Sequence, residues 1–165
     1  MKIDELIDSQ VRELAEELVE AGGTVTAAES LTGGMICSSF VNVPGSSRWF
    51  CEGFVTYSDT AKHELLGVDE GTLKTCTAVS ERVAGQMAIG AMQRSGADFA
   101  VAVTGLAGPG ADEYGREPGL VYIGIACEHG YAVKECHFEG DRMYIRRKTN
   151  LEAVQMLKRM VRNVK

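Results

Sequence analysis

The chain has 165 residues, 45% of them hydrophobic and 24% charged, which is enough for one well-buried core and short for two. Its formal charge of -6 argues against a general nucleic-acid binder, which needs a basic face to displace counterions, and no apolar run approaches a membrane span. The acidic start Met1-Lys2-Ile3-Asp4-Glu5-Leu6 is unlike a secretory signal, so the expectation is one cytoplasmic domain over residues 1–165 with neither membrane nor nucleic acid as partner.

Leu6, Val11, Leu14, Leu18 and Val19 recur at helical spacing and predict an amphipathic helix that Gly22-Gly23 ends. Thr24 to Ala28 is β-prone, and Ser30-Leu31-Thr32-Gly33-Gly34 turns it into a second helix from Met35 to Val43. Pro44-Gly45-Ser46-Ser47 breaks that pattern before a strand from Cys51 to Tyr57, and either Ser58 or Asp59 caps a short helix through Lys62 to Leu66. Ser80-Glu81 opens a helix of small and apolar residues that ends near Gly96. Phe99 to Val103 is the uninterrupted apolar run of a strand covered on both faces.

That strand runs into Thr104-Gly105-Leu106-Ala107-Gly108-Pro109-Gly110 and then a polar segment from Ala111 to Pro118, too long for a simple hairpin. Gly119 to Cys127 and Tyr131 to Phe138 read as a strand pair, and Asp141 begins a final helix. This order predicts a three-layer α/β/α sandwich with a mixed, mostly parallel sheet. Cys37, Cys51, Cys76, Cys127 and Cys136 form an odd set without a C-x-x-C pair, which reads as buried free thiols with no metal site.

In such sheets ligands bind beyond the carboxyl ends of the strands. Ser30, Tyr57-Ser58 and Thr104-Gly105 end three predicted strands, and Lys62 lies one helical turn after the second. Ser30 needs a base. G-x-S-x-G and S-x-x-K are absent, and His63, His129 and His137 have no convincing relation to it. Lys62 serves if a dry pocket lowers its pKa, with Tyr57 as a positioning hydroxyl; a solvated surface lysine and a packed aromatic are the structural alternatives.

The amino terminus of the helix after Ser30 would aim free N–H groups at a phosphate or oxyanion, and the glycines from Gly105 to Gly110 would do the same from the later loop. Thr32, Gly33, Gly34, Thr104, Gly105 and Gly108 are therefore expected substrate contacts. Arg142 and Arg146 share a helical face and suit a phosphate or carboxylate, or else merely solvate the helix.

Taken together, Ala28-Glu29-Ser30-x-Thr32-Gly33-Gly34, Val43-Pro44-Gly45-Ser46-Ser47, Tyr57-Ser58 with Ala61-Lys62, Leu66-Gly67-Val68, Ala78-Val79-Ser80-Glu81, Thr104-Gly105-x-Ala107-Gly108-Pro109-Gly110, Gly119-x-Val121-Tyr122 and Phe138-x-Gly140-Asp141-Arg142 closely resemble the C-terminal domain of the competence/damage-inducible protein CinA and its stand-alone relatives, the nicotinamide-nucleotide amidases. The resemblance covers nearly the whole chain. It implies hydrolysis of the carboxamide of nicotinamide mononucleotide to nicotinic acid mononucleotide and ammonia, with Ser30 as nucleophile and Lys62 as its base. It also implies supporting or substrate-contacting roles for Tyr57 and Arg146, a homo-oligomer, and no metal or organic cofactor.

The sequence departs from the family pattern at Leu31, where relatives often carry Cys, and at Ala111-Asp112-Glu113-Tyr114, which replaces a glycine-rich continuation. The first should alter packing alone. The acidic residues of the second should repel an anionic ligand and change substrate preference. Some relatives carry an additional N-terminal domain, whose activity this chain is expected to lack. Two other readings remain at this stage: a nucleotide-binding regulatory module without catalysis, and an amidase or esterase for another small substrate.

Overall fold

A computed structural model describes residues 2–164; Met1 and Lys165, the ends of the expected domain, lie outside the described residues. Helix α1 (Ile3–Ala21) buries Ile7, Val11, Leu14 and Leu18 along one face and ends at Gly22, whose φ of 66° is a conformation that glycine tolerates best. Strand β1 (Val25–Glu29) is buried along its length and leads through the Ser30 turn into α2 (Met35–Val41). A single 3₁₀ turn at Ser46–Arg48 precedes β2 (Phe50–Val55), and Ser58 caps α3 (Asp59–Leu66) by accepting the Ala61 amide at 3.0 Å.

A further short helix, α4 (Glu70–Cys76), was not among the expected elements. Its seven residues are too few to show a period, and its signal is local: the Asp69 carboxylate accepts the Thr72 amide at 2.7 Å. Helix α5 (Glu81–Ser95), strand β3 (Phe99–Gly105), the hairpin β4 (Leu120–Cys127) and β5 (Gly130–His137), and helix α6 (Arg142–Val164) complete the chain.

The sheet order is β2-β1-β3-β4-β5. Strands β1, β2 and β3 are parallel, β4 runs against β3, and β5 runs against β4, so four of the five strands share a direction. One core lies under α1, α2 and α6 and includes Ala27, Val101 and Val103; the other lies under α3, α4 and α5 and includes Ala28, Ala100 and Ala102. Successive residues of β1 and β3 therefore serve opposite layers, as the two-residue period of a strand requires.

Two close approaches set the position of α3. A Cβ on Gly90 of α5 would stand 1.8 Å from the Leu66 carbonyl oxygen, and one on Gly124 of β4 would stand 2.5 Å from the Ala84 carbonyl oxygen. Backbone thus packs directly on backbone from sheet to α5 and from α5 to α3. No helix among the described residues is long and apolar enough to cross a membrane. All five cysteines are free; Cys127 and Cys136 are buried, whereas Cys51 is exposed on the edge strand β2, contrary to the expectation of burial.

Candidate active site

The strand order reverses its direction of growth at β1, with β2 on one side and β3 on the other, and the crevice beyond the carboxyl ends of these strands is a ligand position in open α/β sheets. A cleft of about 400 Å³ lies there, lined by Ser30, Tyr57, Lys62, the loop from Thr104 to Asp112, and Arg142 among others. A larger groove of about 560 Å³ at the far end of the sheet, next to Gly22, Asp98 and Phe99, is lined by no hydroxyl or thiol among the described residues.

Lys62 enters this cleft from the buried side of α3 and is 1% exposed. Its Nζ stands 3.1 Å from Ser30 Oγ, 2.8 Å from the Thr56 carbonyl oxygen and 3.4 Å from the Tyr57 carbonyl oxygen. Burial pushes the Lys62 pKa below the ordinary lysine range, and the nearby Asp59 carboxylate only partly opposes this. A neutral amine has two N–H bonds and one lone pair. Two carbonyls that hold the N–H bonds leave the lone pair directed at the Ser30 hydroxyl, the arrangement a general base requires. The surface-lysine alternative is excluded by this burial.

The Ser30 turn is held from several sides. Gly33 and Gly34 both have positive φ, 58° and 99°, which carries the chain from β1 into α2 within five residues. The Ser30 amide donates to the Val103 carbonyl at 3.2 Å and the Gly33 amide to the Ser30 carbonyl at 3.1 Å. The expected phosphate or oxyanion site at the start of α2 is not available. Buried Glu29 accepts the amides of Gly34, Ile36 and Cys37 at 3.0, 3.1 and 2.8 Å, so a carboxylate of the chain itself occupies that helix end. The Leu31 and Thr32 amides stay outside these bonds.

Arg146 lies away from the cleft lining. Its Nε donates to the Leu31 carbonyl at 3.0 Å and one terminal nitrogen to the Thr32 carbonyl at 2.8 Å. Arg142 does line the cleft, where its guanidinium also donates to the Gly108 carbonyl. The shared face of these arginines therefore splits between two tasks. Thr32, Gly33 and Gly34 lie behind the cleft; Thr104, Gly105 and Gly108 line it, with the Thr104 hydroxyl donating to the Ala78 carbonyl at 2.8 Å. Tyr57 lines the cleft, is 67% exposed as a residue, and meets Lys62 through its backbone carbonyl. Leu31 is buried in the core under α2 and α6, as its apolar character suits.

The acidic segment also differs from expectation. Asp112 lines the cleft, but Arg116 holds it through contacts of 2.8 and 2.7 Å and continues to the Thr77 hydroxyl and the Val79 carbonyl at 3.0 and 2.7 Å. Burial raises the Asp112 pKa, yet hydrogen bonds from the Arg116 side chain and amide outweigh it and hold the carboxyl below the usual range. A paired carboxylate of this kind does not act as an open repulsive charge. Among the histidines, His63 Nδ1 lies 2.8 Å from the Val68 carbonyl, and His129 and His137 lie beside Glu128 and Glu135; none lines the cleft.

Glu29 and Arg116 had no assigned role from sequence. The signals were present: an acidic residue just before a helix start complements its dipole, and Asp112 and Arg116 are four residues apart. Thr56 acts through its carbonyl and leaves no side-chain signal.

Parallel strands with helices on both faces, and a serine beside a buried lysine beyond their carboxyl ends, define an α/β protein with a serine–lysine pair in its ligand crevice. The sequence model of the CinA C-terminal domain matches residues 7–161, and the chain belongs to that family. It is 42% identical to the nicotinamide-nucleotide amidohydrolase PncC of Escherichia coli K12, over 92% of this chain and 95% of that protein. It is 45% identical to a competence-damage inducible protein of Caldicellulosiruptor saccharolyticus, where it spans 39% of the relative's length. The competence/damage inducible protein CihA from Agrobacterium tumefaciens superposes with a TM-score of 0.89 at 40% identity, covering 92% of this chain and 93% of that one. ComA from Klebsiella pneumoniae gives a TM-score of 0.93 at 31% identity, covering 96% and 99%.

Proposed function

We propose that this chain hydrolyses the carboxamide of nicotinamide mononucleotide, with Ser30 as nucleophile and Lys62 as general base. The observation that carries this reading is the 3.1 Å contact between Ser30 Oγ and the Nζ of a buried lysine at the mouth of a cleft. The substrate is supported by the nicotinamide-nucleotide amidohydrolase PncC, which this chain matches over nearly its full length.

In this scheme Lys62 takes the Ser30 proton as Oγ attacks the amide carbon. The resulting ammonium returns that proton to the departing nitrogen, the carbon–nitrogen bond breaks, and ammonia leaves an ester on Ser30. Water, deprotonated by Lys62, then hydrolyses the ester to the carboxylic acid and restores the hydroxyl. The Leu31 amide, at the cleft lining and outside the bonds that hold the turn, is the donor available near the attacked carbonyl, and such a donor contributes about 3 kcal/mol to a developing oxyanion. Arg142 is the cation placed to meet the phosphate, while Arg146 holds the turn. No metal or organic cofactor enters the scheme, and the cytoplasm and a homo-oligomer are the setting that goes with it.

The test is ammonia release from nicotinamide mononucleotide by the parent and by folded Ser30→Ala and Lys62→Ala variants. Loss of about a thousandfold or more in both is expected. Retained turnover by Ser30→Ala would overturn the nucleophile, and binding without turnover in the parent would leave a nucleotide-binding module.

A further inference from the structure

Glu29 is fully buried at the end of β1, and the hydrolytic scheme gives it no task. Its side chain leaves the sheet on the side opposite Ser30, toward α2, while Ser30 meets Lys62 of α3. There Oε2 accepts the amides of Gly34 and Ile36 and Oε1 the amide of Cys37, and the Cys37 thiol also hydrogen-bonds the carboxylate. Hydrogen bonds to an ionised acceptor are the stronger kind, and here three amides supply them to one carboxylate. They join the residue that precedes the nucleophile to the far end of the turn that carries it.

The backbone of Glu29 reaches the other half of the site. Its carbonyl accepts the Thr56 amide at 2.8 Å, and the Thr56 carbonyl accepts a hydrogen bond from Lys62 Nζ at 2.8 Å. One residue thus touches the serine turn through its side chain and the lysine cradle through its main chain.

We propose that Glu29 is a positioning residue for the reaction: its carboxylate closes the turn from Ser30 to Gly34 and keeps Ser30 Oγ within hydrogen-bond reach of Lys62. The proposal rests on the Ser30 and Lys62 reading and adds a residue that touches neither substrate nor reacting atoms. Glu29→Gln is the informative change, because it preserves volume but turns an NH₂ group toward amides that are themselves donors. Glu29→Asp does not restore function, since one methylene less withdraws the carboxylate from Cys37.

The readout is the rate at which a fluorophosphonate labels Ser30, measured beside kcat and KM for nicotinamide mononucleotide. In Glu29→Gln the labelling rate and kcat fall by about 10- to 100-fold while KM stays within about twofold, as expected when the reacting atoms are misplaced and the cleft is intact. A variant that labels and turns over at the parent rate overturns the proposal and leaves the Ser30 and Lys62 reading standing. A parent whose Ser30 is not labelled, and which keeps its activity as Ser30→Ala, overturns both. Amide hydrogen exchange in the parent needs no variant. Slow exchange at Gly34, Ile36 and Cys37 supports the anchor, and exchange at the rate of open loop amides overturns it even where Glu29→Gln fails to fold.

Discussion

Arg146 donates to the Thr32 carbonyl at 2.8 Å across a sequence separation of 114 residues, so the last helix braces a turn made near the start of the chain. The guanidinium fork also holds the Leu31 carbonyl. Hydrogen bonds from charged donors contribute about 1.5–3 kcal/mol each, and a lysine cannot reproduce the planar pair. Arg146→Ala and Arg146→Lys should therefore both lower kcat, with melting temperature reduced and KM little changed. Arg142→Ala should instead raise KM for nicotinamide mononucleotide. Steady-state kinetics on the three variants checks the division, and a KM effect confined to Arg146 would reverse it.

Burial of Lys62 makes activity and stability depend on pH in linked ways. Turnover should rise with pH as Lys62 loses its proton, at a midpoint below the ordinary lysine value of about 10.4. Between the folded pKa and that value the unfolded chain holds a proton that the folded chain has released, so stability climbs with pH through the window and the cost of burial is fully present below it. Replacing Lys62 by Met removes this dependence. The melting temperature of Lys62→Met relative to the parent should be most favourable at low pH and decline toward alkaline pH. A difference that stays constant would mean that the lysine titrates normally in the fold.

The sequence made the layers legible because their signals are periodic. The helical stripe of α1 and the unbroken apolar run of β3 each announce the surface that buries them. Ser30 and Lys62 were legible as residue types at strand and helix ends, yet their contact depends on α3 lying close to the sheet, which no single segment encodes. The start of α2 was misread as an anion site because a free helix end and one closed by Glu29 look alike until the side chain has a direction. Arg146 was ambiguous for a similar reason: its targets are carbonyls, which every residue carries.

The closeness of α3 predicts the effect of a minimal change. Alanine favours a helix over glycine by about 1 kcal/mol, but a Cβ at Gly90 meets the Leu66 carbonyl at 1.8 Å. Forced overpacking costs about 1–3 kcal/mol and outweighs the propensity gain. Gly90→Ala should lower the melting temperature and, by displacing the helix that carries Lys62, slow fluorophosphonate labelling of Ser30. A stabilised variant with parental labelling would contradict this packing argument.

The loop from Ala111 to Pro118 should act on substrate affinity. Arg116→Ala frees the Asp112 carboxylate and unties the loop from Thr77 and Val79. An unpaired negative charge at the cleft then opposes a phosphate, so KM should rise by about tenfold at low salt and by less at high salt. Asp112→Asn in the same background should recover part of the loss. Equal KM values across the series would place the loop outside substrate recognition.

Glu29 and Ser30 are neighbours in sequence but belong to different layers, one facing α2 and the other facing α3. The alternation of one strand thereby places Ser30 and Lys62 on one side of the sheet and the carboxylate that anchors the Ser30 turn on the other. The support of the Ser30 turn, from Glu29 and Arg146, thus comes from the layer of α2 and α6, while the cleft is walled mainly by the loops on the other side, so a descendant of this chain can vary those loops and keep the support of the turn unchanged.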